Sequence, residues 1–464
     1  MCHTMTELRL NGRSTEQSLP RTMLMFALPI MAVNLLQLVF NAADMIVVGR
    51  FEGSRALAAV GATGALINLI VNLFMGLSVG TSVVVAQAYG ARRAEDIRQG
   101  VHTSIAVGIL GGIAATIIGL AFCAPLLRWM GTPEDILAVS TLYMRIIFAG
   151  MPASMVFNFG AAILRAVGDS RRPMYFLVVS GVANVVLNLL FVAVLRLGVA
   201  GVAWATIISQ YLALALIMAS LMHQEGVLRF SWQRLGINAQ KLVLILKIGV
   251  PAGLQSVLFS ISNVLVQSAV NSFGTTMVAA NAASSNVESL VATPMNAYYQ
   301  AAITFTGHSM GAEDYDRIDR IAKISATLVF VTWLVLGGIT LFFGQSLLGF
   351  YTKDPQVVEL GMRRLIVLMT FYFSCGIMNT FPGLTRAMGY SVLPMLSTLV
   401  GACLLRILWL VTVFRWYPTQ TVLFAVYPVT WTIAGLGQVA SFFYARSQIR
   451  KRSASCEPRV EAAV

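Results

Sequence analysis

The sequence predicts an all-α integral membrane protein: twelve transmembrane helices in two parallel-repeat six-helix bundles around a central cavity. Three observations lead there. Of 464 residues, 57% are apolar and 11% charged, far from the balance of a soluble domain. Apolar stretches long enough to cross the hydrocarbon core, roughly 20 residues each, occur twelve times. The chain also repeats itself: "RAVGDSRRP" from Arg165 to Pro173 shares its Arg-Ala-x-Gly-x-Ser-x-x-Pro frame with "RAMGYSVLP" from Arg386 to Pro394, 221 residues on. Asn158 and Asn379 keep the same offset, "LP" at Leu28-Pro29 answers "VP" at Val250-Pro251, and "YGARRAEDIR" from Tyr89 resembles "MGAEDYDRID" from Met310. Agreement at several landmarks marks two copies of one unit.

In chain order, residues 1–21 are polar and lack an apolar core of signal-peptide length, so they are expected to be an uncleaved cytoplasmic segment. Spans near 22–48, 57–87, 100–125, 136–162, 174–195 and 199–222 make the first lobe, 22–222. A polar joint over 223–243 reads as the linker between lobes. Spans near 244–270, 277–306, 321–345, 358–382, 392–414 and 420–445 make the second lobe, 244–445, and 446–464 reads as a basic tail. Six spans per lobe is an even number, so both copies enter the membrane in the same direction, and an axis along the membrane normal relates them, with a site between the bundles.

The basic residues orient the chain. The N-terminus, the even-numbered connections and the C-terminal end carry 22 of the 32 Lys and Arg, and the opposite side carries six, which places both termini in the cytoplasm. The net charge of +13 therefore belongs to short loops at one membrane face and forms no stripe for nucleic acid. Cys2, Cys123, Cys375, Cys403 and Cys456 have no metal spacing, and His3, His102, His223 and His308 are scattered. That excludes a metal framework and leaves no cluster for a membrane enzyme.

Of 19 acidic residues, Asp44 and Glu288 fall well within spans, where a carboxylate is costly and is a functional candidate by default. Gln37 and Phe40 precede Asp44 by seven and four residues and share its helical face. Pro29, below them, removes a backbone donor and can act as a hinge. Asn184 and Asn188 are one turn apart in the fifth span and Thr206 lies in the sixth. With Asp44 they supply the hard oxygen ligands that a small cation such as sodium prefers. Amides between membrane helices also serve as plain interhelical glue. Asn68, Asn72, Asn158, Gln255 and Glu288 are the polar candidates for a substrate cavity, together with Gln37 and Phe40. Glu288 fits equally a structural ion pair. Phe40, Phe157, Tyr298, Tyr299 and Tyr372 are candidate aromatic walls for flat cations.

These residues carry a resemblance that covers nearly the whole chain. "ALPIMAVNLLQLVFNAADMIVVGRF" in the first span, "VAQAYGARRAEDIRQ" after the second, "YMRIIFAGMP" in the fourth, "ILRAVGDSRRP" after it, and "NVVLNLLFV" followed by "GVAWATIISQ" resemble, in order and spacing, the multidrug and toxic compound extrusion (MATE) transporters, in the bacterial branch of the DNA-damage-inducible members. The resemblance implies an antiporter, not an enzyme, in the bacterial inner membrane, exporting amphipathic and cationic organic compounds against a proton or sodium gradient. It implies no cofactor and is expected of a monomer in contact with membrane lipid. The family pattern has Asp at the second fifth-span position, where this chain has Asn188. A lone carboxylate at Asp44 then suits one proton better than sodium, although a sodium site at Asp44, Asn184, Asn188 and Thr206 stays open. The alternative within the same superfamily is a flippase for a lipid-linked or other amphipathic metabolite. Such proteins carry cationic residues for an anionic headgroup, and Arg145, Arg363, Arg364 and Arg406 read as lying near helix ends.

Overall fold

A computed structural model of the chain describes residues 19–456. Residues 1–18 of the N-terminal segment and 457–464 of the tail lie outside the described residues. The described residues are almost all helical, because each span must satisfy its own backbone polar groups where no water can. In order the rods are α1 (Leu19–Phe51), α2 (Gly53–Gly90), α3 (Ala94–Trp129), α4 (Glu134–Ala149 continued by Met151–Ala166), α5 (Arg171–Val194) and α6 (Gly198–Met222). The second set is α7 (Ala239–Asn271), α8 (Thr275–Gly311), α9 (Tyr315–Gly349), α10 (Pro355–Thr370 continued by Tyr372–Ala387), α11 (Val392–Trp416) and α12 (Gln420–Cys456). The membrane face at which α1 begins is called the near face, and the opposite one the far face.

Nine of these rods are long and apolar enough to span alone, and the two bent rods, α4 and α10, bring the number to eleven among the described residues. The exception is α8. Sequence reading counts it as an ordinary span, yet it carries Asn281, Ser284, Ser285, Asn286, Glu288, Ser289, Asn296 and Gln300. It can be this polar because it runs between the lobes: α1 packs along it through Leu19, Met23, Phe26, Ala27 and Ile30 against Met295, Tyr298, Ala302 and Phe305. At the C-terminal end, α12 continues past residue 445 to Cys456, and Arg446, which sequence reading assigns to the tail, is buried against Asp319 at 2.8 Å.

The repeat is visible at atomic detail. α4 bends by 45° at Gly150 and α10 by 55° at Phe371, positions 221 apart. Pro152 follows the first break and has no backbone donor to give; no proline accounts for the second. The repeated frame is a helix stop followed by a helix start. Gly168 and Gly389 take φ of +95° and +90°, the left-handed turn that glycine adopts without strain. In both copies the two following amides close back on the helix: Gly168 N on Arg165 O and Asp169 N on Leu164 O, and Gly389 N on Arg386 O and Tyr390 N on Thr385 O. Pro173 and Pro394 then sit in the first turns of α5 and α11, where a missing donor costs nothing.

The lobes meet in the near halves of their helices. Val83 and Val84 of α2 pack with Ile245, Ile248 and Ile303. Nearer the face, α2 and α8 touch backbone to backbone: a Cβ at Gly90 would run into His308 O, and one at Gly311 into Gln87 O. Two reciprocal hydrogen bonds complete the closure. Gln87 Nε2 donates to Ala387 O at 2.7 Å, and His308 Nε2 meets Ala166 O at 2.7 Å. Positions 87 and 308, and 166 and 387, are equivalent in the two copies.

Candidate functional site

Above this seal lies a cavity of about 350 Å³ between α1, α4, α5 and α6, with α8 of the second lobe closing one side. Its first wall is written on α1. Asn34, Gln37, Asn41 and Asp44 follow at intervals of three, four and three residues, which aligns them on one helical face, and all four line the cavity together with Ile30 and Phe40. From Ile30 to Asp44 the helix rises about 21 Å, so the cavity is long. The Phe40 ring fills the space that a side chain at Gly181 would need. Phe157, Asn158, Asn184, Ser209 and Gln210 line the opposite side, and Asn296 and Gln300 reach in from α8.

At the far end of this wall the coupling candidates converge. Asn188 Nδ2 donates to Asp44 Oδ1 at 2.5 Å and to Asn184 Oδ1 at 3.3 Å, and Asn184 Nδ2 donates to Thr206 Oγ1 at 3.5 Å. Asp44, Asn184 and Thr206 face the cavity, whereas Asn188 is 1% exposed and stands behind them. α5 leaves the α-helical path immediately after Asn188, in a π-helical segment Leu189–Val194, a feature frequent at functional sites. Asn188 Oδ1 is buried without a hydrogen-bond partner, so the group keeps one free hard oxygen beside the carboxylate. Oxygen donors therefore fit a small cation in kind, but among the described residues no group of three or more His, Cys, Asp or Glu side chains is placed to hold a metal ion, and the neutral Asn188 meets Asp44 with its donor side. Tyr143 of α4, which sequence did not single out, packs beside Val47, Val48, Val192 and Val202.

The remaining candidates are placed as follows. Pro29 lies inside an uninterrupted α1, just below the cavity. Asn68 and Asn72 sit on α2, and neither is among the residues lining the cavity. Gln255 is not on the wall either: its Oε1 accepts from Arg386 Nη2 at 2.6 Å. Tyr299 accepts from the other arm of the same guanidinium, which also lies over its ring.

Glu288 is held by Arg364 at 2.7 Å inside the second lobe, where Arg364 also reaches Ser284 at 3.2 Å. Arg364 and Arg406 are therefore not helix-end residues as the sequence suggests. They are 3% and 0% exposed, and Tyr427 lies between their guanidinium groups at 5.8 and 5.0 Å. Arg406 is further held by Asn263 at 2.6 Å. Buried charges need such partners, and these partners sit on three different helices, α7, α8 and α12, which no spacing rule connects. Tyr298 is hydrogen-bonded to Thr332 at 2.7 Å, and Tyr372 is buried against Trp431. Of the five aromatic candidates, Phe40 and Phe157 line the cavity.

The comparisons with known proteins agree with this architecture. A family profile described as MatE matches twice, over 29–190 and over 251–412, and both matches begin at the equivalent prolines, Pro29 and Pro251. The probable multidrug resistance protein YoeA of Bacillus subtilis is 30% identical over 398 residues, 84% of this chain and 86% of that protein. YpnP of the same organism, also a probable multidrug resistance protein, is 28% identical over 84% of this chain and 88% of its own. The Vibrio cholerae MATE transporter VcmN, solved in its bent form, superposes with a TM-score of 0.85 at 24% identity, over 93% of this chain and 98% of that one, which is a likeness of fold.

Proposed function

Because the chain belongs to the MATE family of membrane transporters, we propose that it is a secondary antiporter that exports amphipathic organic compounds, cationic ones included, in exchange for protons. The observation that carries this reading is the single carboxylate at the far end of a long amide-lined cavity, with Asn188 as its neutral partner. One carboxylate can take and release one proton. A sodium ion would lack the second negative charge that offsets its desolvation.

The near face is read as cytoplasmic, since the short loops there hold most of the basic residues. In the cycle we propose, the seal at Gln87, His308, Ala166 and Ala387 opens to admit substrate from the cytoplasm, and closes as the lobes rock to release it outside. Pro29 lets α1 bend as Asp44 changes charge, because α1 lacks one backbone bond at that point. The test is reconstitution in liposomes with a pH gradient or a sodium gradient imposed separately, following efflux of a fluorescent organic cation. Efflux on the pH gradient alone is expected; efflux that needs sodium would overturn proton coupling.

A further inference from the structure

The cavity is bipolar, and its second pole has no role in the reading above. Among its lining residues two are charged: Asp44 at the far end and Arg165 at the floor, in the last turn of α4. The Arg165 backbone is fixed into the seal, where its carbonyl accepts from Thr304 at 3.2 Å. Its guanidinium, by contrast, takes part in no hydrogen bond or ion pair among the described residues, and its Nε is buried without a partner. The nearby Asp169 does not neutralise it, because that carboxylate is bound to Arg172 at 3.1 Å and to the amides of Arg171 and Arg172.

The second copy of the frame supplies an internal control. Arg386, equivalent to Arg165, gives its two terminal nitrogens to Tyr299 and Gln255, although its Nε, like that of Arg165, is buried without a partner among the described residues. Ser391, equivalent to Ser170, donates to Ile248 O at 2.7 Å. Ser170 itself lines the cavity, and among the described residues its hydroxyl makes no hydrogen bond. The terminal guanidinium nitrogens and the hydroxyl are thus engaged in one lobe, while their counterparts line the cavity floor in the other. An unpaired guanidinium inside a membrane protein is costly, and its planar fork matches an oxyanion in two parallel bonds.

We infer that Arg165, with Ser170, binds an anionic group of the transported compound, a carboxylate or phosphate, so that the cavity prefers zwitterionic amphipathic compounds over purely cationic ones. This rests on the cavity being the substrate path, and deepens that reading by naming the substrate class.

A matched pair of dyes tests it. Rhodamine B carries a carboxylate beside its delocalised cation, and rhodamine B ethyl ester keeps the cation and masks the acid. Binding of each to purified protein in detergent, followed by fluorescence anisotropy without any gradient, should favour rhodamine B by about tenfold, the scale of a charge-assisted contact. Arg165→Gln should erase that ratio, Arg165→Lys should retain part of it, and Ser170→Ala should reduce it. Equal affinity of the unaltered protein for the two dyes overturns the inference even if no variant folds, and so does a ratio that survives Arg165→Gln. Gradient-driven efflux of both dyes with no preference for the acid would leave the exporter standing and remove this pocket alone.

Discussion

Asp44 and Asn188 show how far one atom's chemistry reaches. Among the described residues the carboxylate has one close donor, the neutral Asn188 amide at 2.5 Å, and no cationic partner, so its charge is tempered and not cancelled. Asp44→Asn should therefore abolish gradient-driven export while the protein still inserts and purifies at normal yield. Loss of expression instead would make Asp44 structural. Asn188→Asp adds a second negative charge beside the first and should make sodium stimulate efflux, as read in liposomes with and without a sodium gradient; unchanged sodium response would refute the coupling argument. Glu288 belongs to a different class. It neutralises Arg364 in a lobe interior that also buries Arg406, so Glu288→Ala should destabilise the protein by about 3 kcal/mol, seen as a lower melting temperature in detergent. Asp44 was legible in the sequence because a mid-span carboxylate is rare. Glu288 was equally rare, but its partner is 76 residues away and invisible to periodicity. Arg165 was hidden for the opposite reason: it looked like an ordinary basic joint residue at the membrane surface.

At the scale of single helices, hydrophobic length recovered the apolar rods and missed what sets α8 apart. A helix flanked by protein on most sides can carry asparagines and glutamines through the membrane, and no composition rule separates it from a loop. The polar stripe of α1, by contrast, was present in the sequence at regular spacing, and Asn34 and Asn41 belong to it as clearly as Gln37. The breaks in α4 and α10 were half legible, since Pro152 announces the first and nothing announces the second. The crossing of α2 and α8 makes a prediction of its own. Gly311 lies against the Gln87 carbonyl with no room for a side chain, so Gly311→Val should prop the near face open. A cysteine at Asn158, which lines the cavity, should then react with an impermeant thiol reagent from the near side. Protection equal to that of the Gly311 parent would show that the seal tolerates the insertion.

For the molecule as a whole, the two-lobe plan followed from the 221-residue offset alone, whereas the manner of closing between the lobes did not. That closure uses backbone carbonyls as acceptors, and any residue type supplies one. The orientation across the membrane is open to direct measurement. Ala94 and Ala312 are both exposed at the near face, one in each lobe, and a cysteine at either, in a chain whose own cysteines are serine, should be labelled only from the cytoplasm. Labelling of one from each side would invert one lobe and break the parallel repeat.

The reciprocal clasp carries a historical consequence. Donor 87 of the first half grips the carbonyl at 387 in the second, and donor 308 of the second grips the carbonyl at 166 in the first. A contact in which each partner offers the other a side chain and a carbonyl from equivalent positions, here Gln87 in one half and His308 in the other, has the isologous pattern made by two separate copies of one subunit about a twofold axis. A lone six-helix ancestor would have fitted its twin by this same handshake before any linker joined them. Cutting that linker should therefore do little. Residues 1–235 and 236–464 expressed as two chains are expected to copurify and to pump together, and two halves that ignore one another would mean that fusion, and not the clasp, holds the present molecule together.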